Sequence, residues 1–136
     1  MEKLSPEMTL SEVNRISLLG LAHVGDGVFE LLVRSALCAE GHSAVKQLHK
    51  LTVSHVNAPA QARAAELILP QLSEDEANVY RRGRNAKVNS VPHNADIGQY
   101  HAATGLEALF GWLYLQGQSQ RIKDLFKMIW EADHAS

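Results

Sequence analysis

The segment Leu21-Ala22-His23-Val24-Gly25-Asp26-Gly27-Val28-Phe29-Glu30 carries the strongest fold signal in the 136-residue chain. Around it, apolar or small residues recur at spacings of three and four, the period of an α-helix with one buried face. They are Leu18, Leu21, Gly25, Phe29, Leu32 and Ala36. The pattern predicts a long central helix that ends near Gly41, since a glycine commonly follows the last residue of a helix. Gly117 gives the same stop signal for a later helix.

Asp26 is the unusual residue of this segment. It lies beside the apolar stripe and between two glycines, Gly25 and Gly27, each of which costs about 1 kcal/mol relative to alanine inside a helix. A carboxylate in apolar surroundings is also unfavourable unless its charge is compensated. A lone aspartate of this kind is more often a helix-surface residue, so a functional role needs a second observation.

The second observation is another glycine-rich apolar segment, Ala103-Thr104-Gly105-Leu106-Glu107-Ala108-Leu109-Phe110-Gly111-Trp112-Leu113-Tyr114-Leu115, with the single carboxylate Glu107. If the two helices pack side by side, Gly25 and Gly111 allow a close approach. Asp26 then faces Glu107, and two neighbouring carboxylates repel each other unless a divalent cation joins them. We therefore predict that Asp26 and Glu107 are catalytic residues and paired ligands of Mg²⁺, which can activate a water for attack on a phosphodiester.

Glu30 lies one turn beyond Asp26 on the same helix. The simpler interpretation is a surface ion pair with Arg34 at the i,i+4 spacing. The alternative is a supporting role near the metal, and we favour the ion pair.

The rest of the chain also predicts helices, and no strand signal of any strength is present. Thr9-Leu10-Ser11-Glu12 and Ser73-Glu74-Asp75-Glu76 are typical capping boxes. Ser43 fits the cap that precedes a helix, and Pro59 fits a first helical turn. The next helix is predicted to run through Ala60, Ala64, Leu67 and Ile68 and to end at Pro70. We expect an all-α protein of six or seven helices, forming one domain over residues 1–136.

A basic cluster, Arg81-Arg82-Gly83-Arg84-Asn85-Ala86-Lys87, opens a polar segment that we predict to be a loop over residues 83–94. Basic residues at a helix C-terminus commonly complement the helix dipole. Four positive charges in seven residues exceed that need, so we favour phosphate contact, although the whole chain has a net charge of −2.

Composition and motifs exclude several classes. No apolar run is long enough to cross a membrane, no signal peptide is recognisable, and Cys38 has no cysteine partner for an intramolecular disulfide. No metal-binding His/Cys pattern and no glycine-rich phosphate loop occurs. We expect a cytoplasmic protein without a membrane partner, in which Cys38 is a small core residue.

The two acidic segments resemble the ribonuclease III family. The run Leu21-Ala22-His23-Val24-Gly25-Asp26 is similar to its signature helix, and Leu106-Glu107-Ala108-Leu109-Phe110-Gly111 to its second acidic motif. With Arg82-Gly83-Arg84-Asn85-Ala86-Lys87 and several shorter matches, the resemblance is closest to the short Mini-ribonuclease III subfamily. It covers most of the chain.

The resemblance implies a dimeric all-α endonuclease that cuts double-stranded RNA and leaves 5′-phosphate and 3′-hydroxyl ends. It implies Mg²⁺, with Mn²⁺ as a substitute, bound by Asp26 and Glu107. The substrate implied is precursor 23S ribosomal RNA, with a ribosomal protein as a possible helper. The resemblance also implies that Arg82, Arg84, Asn85 and Lys87 contact the RNA. No double-stranded-RNA-binding domain is expected.

The chain departs from full-length ribonuclease III at three positions. Leu19 and Ala22 stand where that family has acids, and Thr104 stands where it has an aspartate. The mini subfamily also lacks these acids. Their absence suggests that fewer protein side chains bind the metal and that more water does, with Thr104 as a possible supporting residue of the site. Two other classes remain open: a non-catalytic RNA-binding or ribosome-associated protein, and a helical interaction protein that uses the apolar stripe only to dimerise.

Overall fold

The computed structural model describes residues 4–87, 91 and 93–134, and all regular structure in these residues is helical. A short 3₁₀ helix, Leu69–Gln71, follows the fourth of the α-helices. The α-helices are α1 (Leu10–Val13), α2 (Leu18–Ala39), α3 (Val45–Val56), α4 (Ala58–Ile68), α5 (Glu74–Arg84), α6 (Ile97–Leu115) and α7 (Ser119–Asp133). The all-α prediction of six or seven helices is confirmed. None of the helices in these ranges is long and apolar enough to span a membrane.

Helix α6 is the centre of the molecule. From Ala103 to Leu115 every residue is buried except Glu107 and Tyr114, which are partly buried. Helices α2, α4, α5 and α7 all pack against α6. A helix that is apolar on all sides is stable only when it is surrounded in this way, so α6 sets the positions of its neighbours.

The buried face of α2 differs from the predicted stripe in its second half. Its buried residues are Leu21, Ala22, Gly25, Phe29, Val33 and Leu37. Leu32 and Ala36, which the sequence placed inward, are only partly buried, because the contact follows an i,i+4 ridge from Gly25 to Leu37. Cys38 follows that ridge and is exposed, so its prediction as a core residue is wrong.

Several helix ends are formed as predicted. Thr9 and Ser73 each accept a hydrogen bond from the backbone N–H three residues on, in complete capping boxes. Gly41 and Gly117 have φ of +98° and +75° and follow the ends of α2 and α6. That left-handed backbone is open to glycine at little cost, which explains why both helices stop there.

Two predicted boundaries are wrong. Ala44, not Ser43, precedes α3, and it gives the helix no side-chain cap. Helix α5 continues through Arg84, so the predicted loop of residues 83–94 begins too early. The reason is tertiary: Gly83 is buried against α6, which holds the last turn of α5 in helical form. Residues 88–90 and 92 of that predicted loop lie outside the described residues.

Candidate active site

Asp26 of α2 and Glu107 of α6 line the same cleft, which has a volume of about 270 Å³. Asp26 is exposed and Glu107 is partly buried. The remaining lining residues come from α6 and from the junction of α3 and α4: Val56, Ala58, Gln61, Tyr100, Ala103 and Thr104. The structure thus brings the two predicted carboxylates together, while their catalytic and metal-binding roles stay predictions.

Two glycines make this pairing possible. A Cβ atom on Gly25 would overlap the carbonyl oxygen of Glu107, and one on Gly111 would overlap the carbonyl oxygen of Leu21. Helices α2 and α6 therefore touch backbone to backbone. Asp26 follows Gly25 directly, and Glu107 lies one turn before Gly111, so both carboxylates emerge at the edge of the contact.

The electrostatics of Glu107 fit a carboxyl group held beside another acid. Burial, followed by the charge of Asp26 and a hydrogen bond to Asp26, raises its pKa to about 8. A hydrogen bond from Gln61 acts in the opposite direction and favours the charged form. Without a cation, then, Glu107 keeps its proton at neutral pH.

The donor set suits a hard divalent cation. Mg²⁺ takes oxygen ligands, commonly one or two carboxylates with several waters. Asp26 and Glu107 supply two such carboxylates, and a cation there would compensate the repulsion that raises the pKa of Glu107. Within residues 4–87, 91 and 93–134 no three His, Cys, Asp or Glu side chains group closely enough to hold a metal. The residues present fit Mg²⁺ with water as its other ligands.

Gln61 is the site residue that the sequence prediction missed. It is only 2 % exposed, and its Nε2 donates to the carbonyl oxygen of Val56 at 3.0 Å. The buried residues of α4 are Gln61, Ala64, Ala65 and Ile68, whereas Ala60 is partly buried and Leu67 is 44 % exposed. The signal available in the sequence was a glutamine at a position on the buried face of the helix. A buried polar side chain needs a hydrogen-bond partner, so such a glutamine indicates a polar neighbour.

The two supporting candidates have different surroundings. Thr104 is buried and lines the cleft, and its hydroxyl donates to the carbonyl oxygen of Tyr100 at 3.0 Å. Glu30 is not among the residues that line the cleft, and it pairs with Arg34 at 3.0 Å in the i,i+4 geometry. The ion-pair interpretation of Glu30 is confirmed.

The basic residues predicted to contact RNA lie at the end of α5. Arg82 and Lys87 are exposed, the guanidinium of Arg84 lies 5.6 Å from the ring centroid of Tyr80, and Asn85 caps the helix. They are held against α6 by Gly83, where an added Cβ would lie 2.7 Å from the Cβ of Ala108 and 3.5 Å from the carbonyl oxygen of Thr104. The basic segment is thus attached to the same turns of α6 that carry Thr104 and Glu107.

The Ribonuclease III domain model matches residues 19–118 of the chain. This range contains both carboxylates, the cleft and the basic segment. The chain belongs to the ribonuclease III family and is an endoribonuclease that hydrolyses phosphodiester bonds.

Curated relatives narrow the assignment to the Mini-ribonuclease III group. The chain is 45 % identical over 112 residues to the Mini-ribonuclease 3 of Brevibacillus brevis, covering 82 % of this chain and 84 % of that one. It is 41 % identical over 120 residues to the Mini-ribonuclease 3 of Symbiobacterium thermophilum, covering 88 % and 92 %. The crystal structure of a Fusobacterium nucleatum protein superposes with a TM-score of 0.80 at 28 % identity, over 90 % of this chain and 98 % of that one.

Proposed function

We propose that the protein is a Mg²⁺-dependent endoribonuclease that cuts double-stranded RNA at the Asp26–Glu107 cleft and matures precursor 23S ribosomal RNA. The observation that carries the proposal is the pair of carboxylates that two glycine contacts hold at one cleft. Such an arrangement is unfavourable without a cation, because burial and Asp26 together raise the pKa of Glu107 to about 8. A pair of this kind is expected where function requires it.

The chain's own residues would divide the work as follows. Asp26 and Glu107 would hold the ion, and Mg²⁺ when bound supplies an acidified water and charge stabilisation at the phosphoryl oxygens. Thr104 keeps its hydroxyl on the backbone of α6, so it shapes the cleft wall rather than competing as a ligand. The apolar lining from Val56, Ala58 and Ala103 limits the water that reaches the reacting phosphate.

The basic segment would orient the RNA. Arg82, Arg84, Asn85 and Lys87 provide three positive charges and an amide at the end of α5. Gly83 fixes that end against Thr104, Gly105 and Ala108 of α6. Phosphate contacts position a duplex without reading its sequence. This distribution accounts for RNA binding by a chain whose net charge is −2.

Several parts of the proposal rest on the resemblance to Mini-ribonuclease III. These are the homodimer with one cleft per protomer, the 5′-phosphate and 3′-hydroxyl ends, the substitution of Mn²⁺ for Mg²⁺, and an assisting ribosomal protein. The single-domain organisation and the cytoplasmic location are proposed from the helix pattern and the composition of the sequence.

The experiment is cleavage of a long duplex RNA and of a precursor 23S fragment, with Mg²⁺ and with EDTA. The parent is compared with D26N and E107Q, and with the matched surface controls D124N and E131Q. Metal-dependent cleavage that is lost in D26N and E107Q and kept in both controls supports the proposal. RNA binding without cleavage of either substrate in any divalent metal would assign the chain to the non-catalytic RNA-binding class.

A further inference from the structure

Gln61 is a buried amide with an unusual set of partners. Its side chain spans from the end of α3, where Nε2 donates to the carbonyl oxygen of Val56 at 3.0 Å, to the carboxylate of Glu107. Its Oε1 is buried and has no hydrogen-bond partner within the described part of the chain. The residue is 2 % exposed and lines the cleft that holds both carboxylates.

This arrangement is unfavourable for stability alone. One donor hydrogen of the amide is directed to Val56. The amide also interacts with the carboxylate of Glu107, which lines the same cleft. The carbonyl half is left without a partner, and a buried unpaired acceptor lowers stability. An apolar side chain of the same length would avoid that penalty but would leave the Val56 carbonyl without its donor, so packing alone does not explain why the position holds glutamine.

The contact with Glu107 does explain it. Glu107 emerges from α6, while Val56 and Gln61 belong to α3 and α4, so the amide ties the carboxylate to a second, independent part of the core. Nε2 is fixed in place by Val56 and can donate to one oxygen of Glu107. The carboxylate is thereby held in one orientation beside Asp26, with which it also interacts.

We propose that Gln61 is a positioning residue that fixes the orientation of the Glu107 carboxylate for metal binding. The inference rests on the proposed function, since it assigns Gln61 a role at that same metal site. Residues that hydrogen-bond a metal ligand typically change metal affinity about 10- to 100-fold when they are replaced. Gln61 acts through Glu107 and is not itself a catalytic residue.

The test is calorimetric titration of Mn²⁺ into the RNA-free protein, comparing the parent with Q61M. Methionine keeps the unbranched shape and volume but cannot donate a hydrogen bond. The matched control is Q116M, because Gln116 also donates Nε2 to a backbone oxygen, that of Trp112 at 2.9 Å, and does not line the cleft. We expect Q61M to bind Mn²⁺ at least about 10-fold more weakly than the parent, and Q116M to bind it normally.

Two further measurements separate positioning from a purely structural role. In urea without metal, Q61M should unfold at a midpoint close to that of the parent, because it removes the unpaired Oε1 together with the donor to the Val56 carbonyl. In duplex RNA cleavage, Q61M should lower kcat while KM stays within a factor of about two. A structural role alone predicts the reverse: a lower midpoint with unchanged Mn²⁺ affinity.

The outcomes also distinguish this inference from the proposed function. If the parent binds Mn²⁺ and E107Q does not, the metal site stands, and unchanged affinity in Q61M then overturns the inference alone. If neither the parent nor E107Q binds Mn²⁺, the metal site is contradicted, and the proposed function and the role of Gln61 fall with it. Should Q61M not fold, Q61L is measured in its place, and failure of both variants to fold assigns Gln61 to the core rather than to the site.

Discussion

Gly25 and Gly111 meet backbone to backbone where α2 crosses α6. A Cβ added to Gly25 would lie 2.8 Å from the backbone nitrogen of Gly111, and one added to Gly111 would lie 3.0 Å from that of Gly25. No flexible side chain stands between them to absorb a larger residue. This contact sets the distance between the two helices that carry Asp26 and Glu107, so the chemistry of the cleft depends on two residues that have no side chain.

The first prediction concerns this contact. Gly25→Ala should lower the free energy of unfolding by about 1–3 kcal/mol, because the added methyl overlaps the backbone of α6 and forces the helices apart. The urea midpoint measures the effect, and cleavage activity should fall further than stability does, because Asp26 moves with α2.

Gly27→Ala is the matched control. It lies two residues away on the same helix, and nothing would come within 4 Å of its added Cβ. It should raise stability by up to about 1 kcal/mol through helix propensity alone. Equal stability losses in the two variants would show that the helix, and not the contact with α6, is sensitive to alanine.

The second prediction concerns pH and the metal-free protein. The pKa of Glu107 is raised from its ordinary value of 4.5 to about 8, so the folded state binds this proton more tightly than the unfolded state. The resulting stability is fully present below pH 4.5 and is lost as the pH rises to about 8, with a slope of at most about 1.4 kcal/mol per pH unit.

Thermal unfolding of the parent and of E107Q in EDTA, from pH 5 to pH 8, measures how stability depends on pH. Stability should fall less steeply with pH in E107Q than in the parent. Addition of Mg²⁺ at pH 8 should restore the stability of the parent, because the cation favours the charged pair. If the stabilities of the parent and of E107Q change with pH in the same way, the raised pKa of Glu107 is contradicted.

The third prediction concerns the ion pair that fixes α5 to α7. Arg121 donates two hydrogen bonds of 2.8 Å to Glu76 and a third of 2.8 Å to the carbonyl oxygen of Gln71. Burial raises the pKa of Glu76, but the hydrogen bonds from Arg121 and Ser73 and the charge of Arg121 outweigh it, so the net pKa is lowered. This stability is therefore present above pH 4.5 and lost as the pH falls through the lowered pKa.

Arg121→Met should accordingly cost about 2 kcal/mol at pH 7, and less at pH 3, because protonation of Glu76 weakens the pair as the pH falls through its lowered pKa. Urea unfolding at the two pH values measures the difference. The control is K127M, because Lys127 is 75 % exposed, contacts Glu131 at 3.9 Å and should contribute within about 0.5 kcal/mol. A cost for R121M that is the same at both pH values would contradict the assignment.

The fourth prediction concerns the basic segment. Replacement of Arg82, Arg84 and Lys87 by alanine should weaken duplex RNA binding and reduce the slope of log Kd against log salt by about two to three, since each lost phosphate contact removes nearly one counterion. Fluorescence anisotropy with the cleavage-deficient D26N background measures both quantities.

A second triple variant separates local contact from net charge. It replaces three exposed basic residues remote from the segment: Arg15, Lys123 and Lys127. It changes the total charge by the same amount and should leave the slope close to that of the parent. Equal effects of the two triple variants would mean that RNA senses only overall charge.

The sequence predicted most of this architecture because its signals are local. Capping boxes at Thr9 and Ser73, and glycines at 41 and 117, act within a few residues of themselves, and each ends or begins a helix as expected. The facing of Asp26 and Glu107 was also predictable, because both helices combine glycines with a single acid.

The errors arose where tertiary contacts decide. The last turn of α5 is helical because Gly83 packs on α6, and no signal within α5 reveals that contact. Gln61 was missed for a similar reason: it lies in register with the buried face of α4, yet its partners come from α3 and α6. Cys38 was placed in the core because a free cysteine without an activating neighbour is usually buried, but the ridge that packs inward passes through its neighbour Leu37.

The central claim is that Asp26 and Glu107 form one metal site that cleaves RNA. The most direct test is single-turnover cleavage of duplex RNA in Mg²⁺ by the parent, D26N, E107Q and the double variant, each at saturating protein. Each single variant should lose at least about 100-fold in rate, and the double variant should lose no more than the worse single one, because residues that act as a unit are not additive. A shared site would be contradicted if the rate reduction in the double variant equals the product of the two single reductions. It would also be contradicted if either single variant cleaves RNA at the rate of the parent.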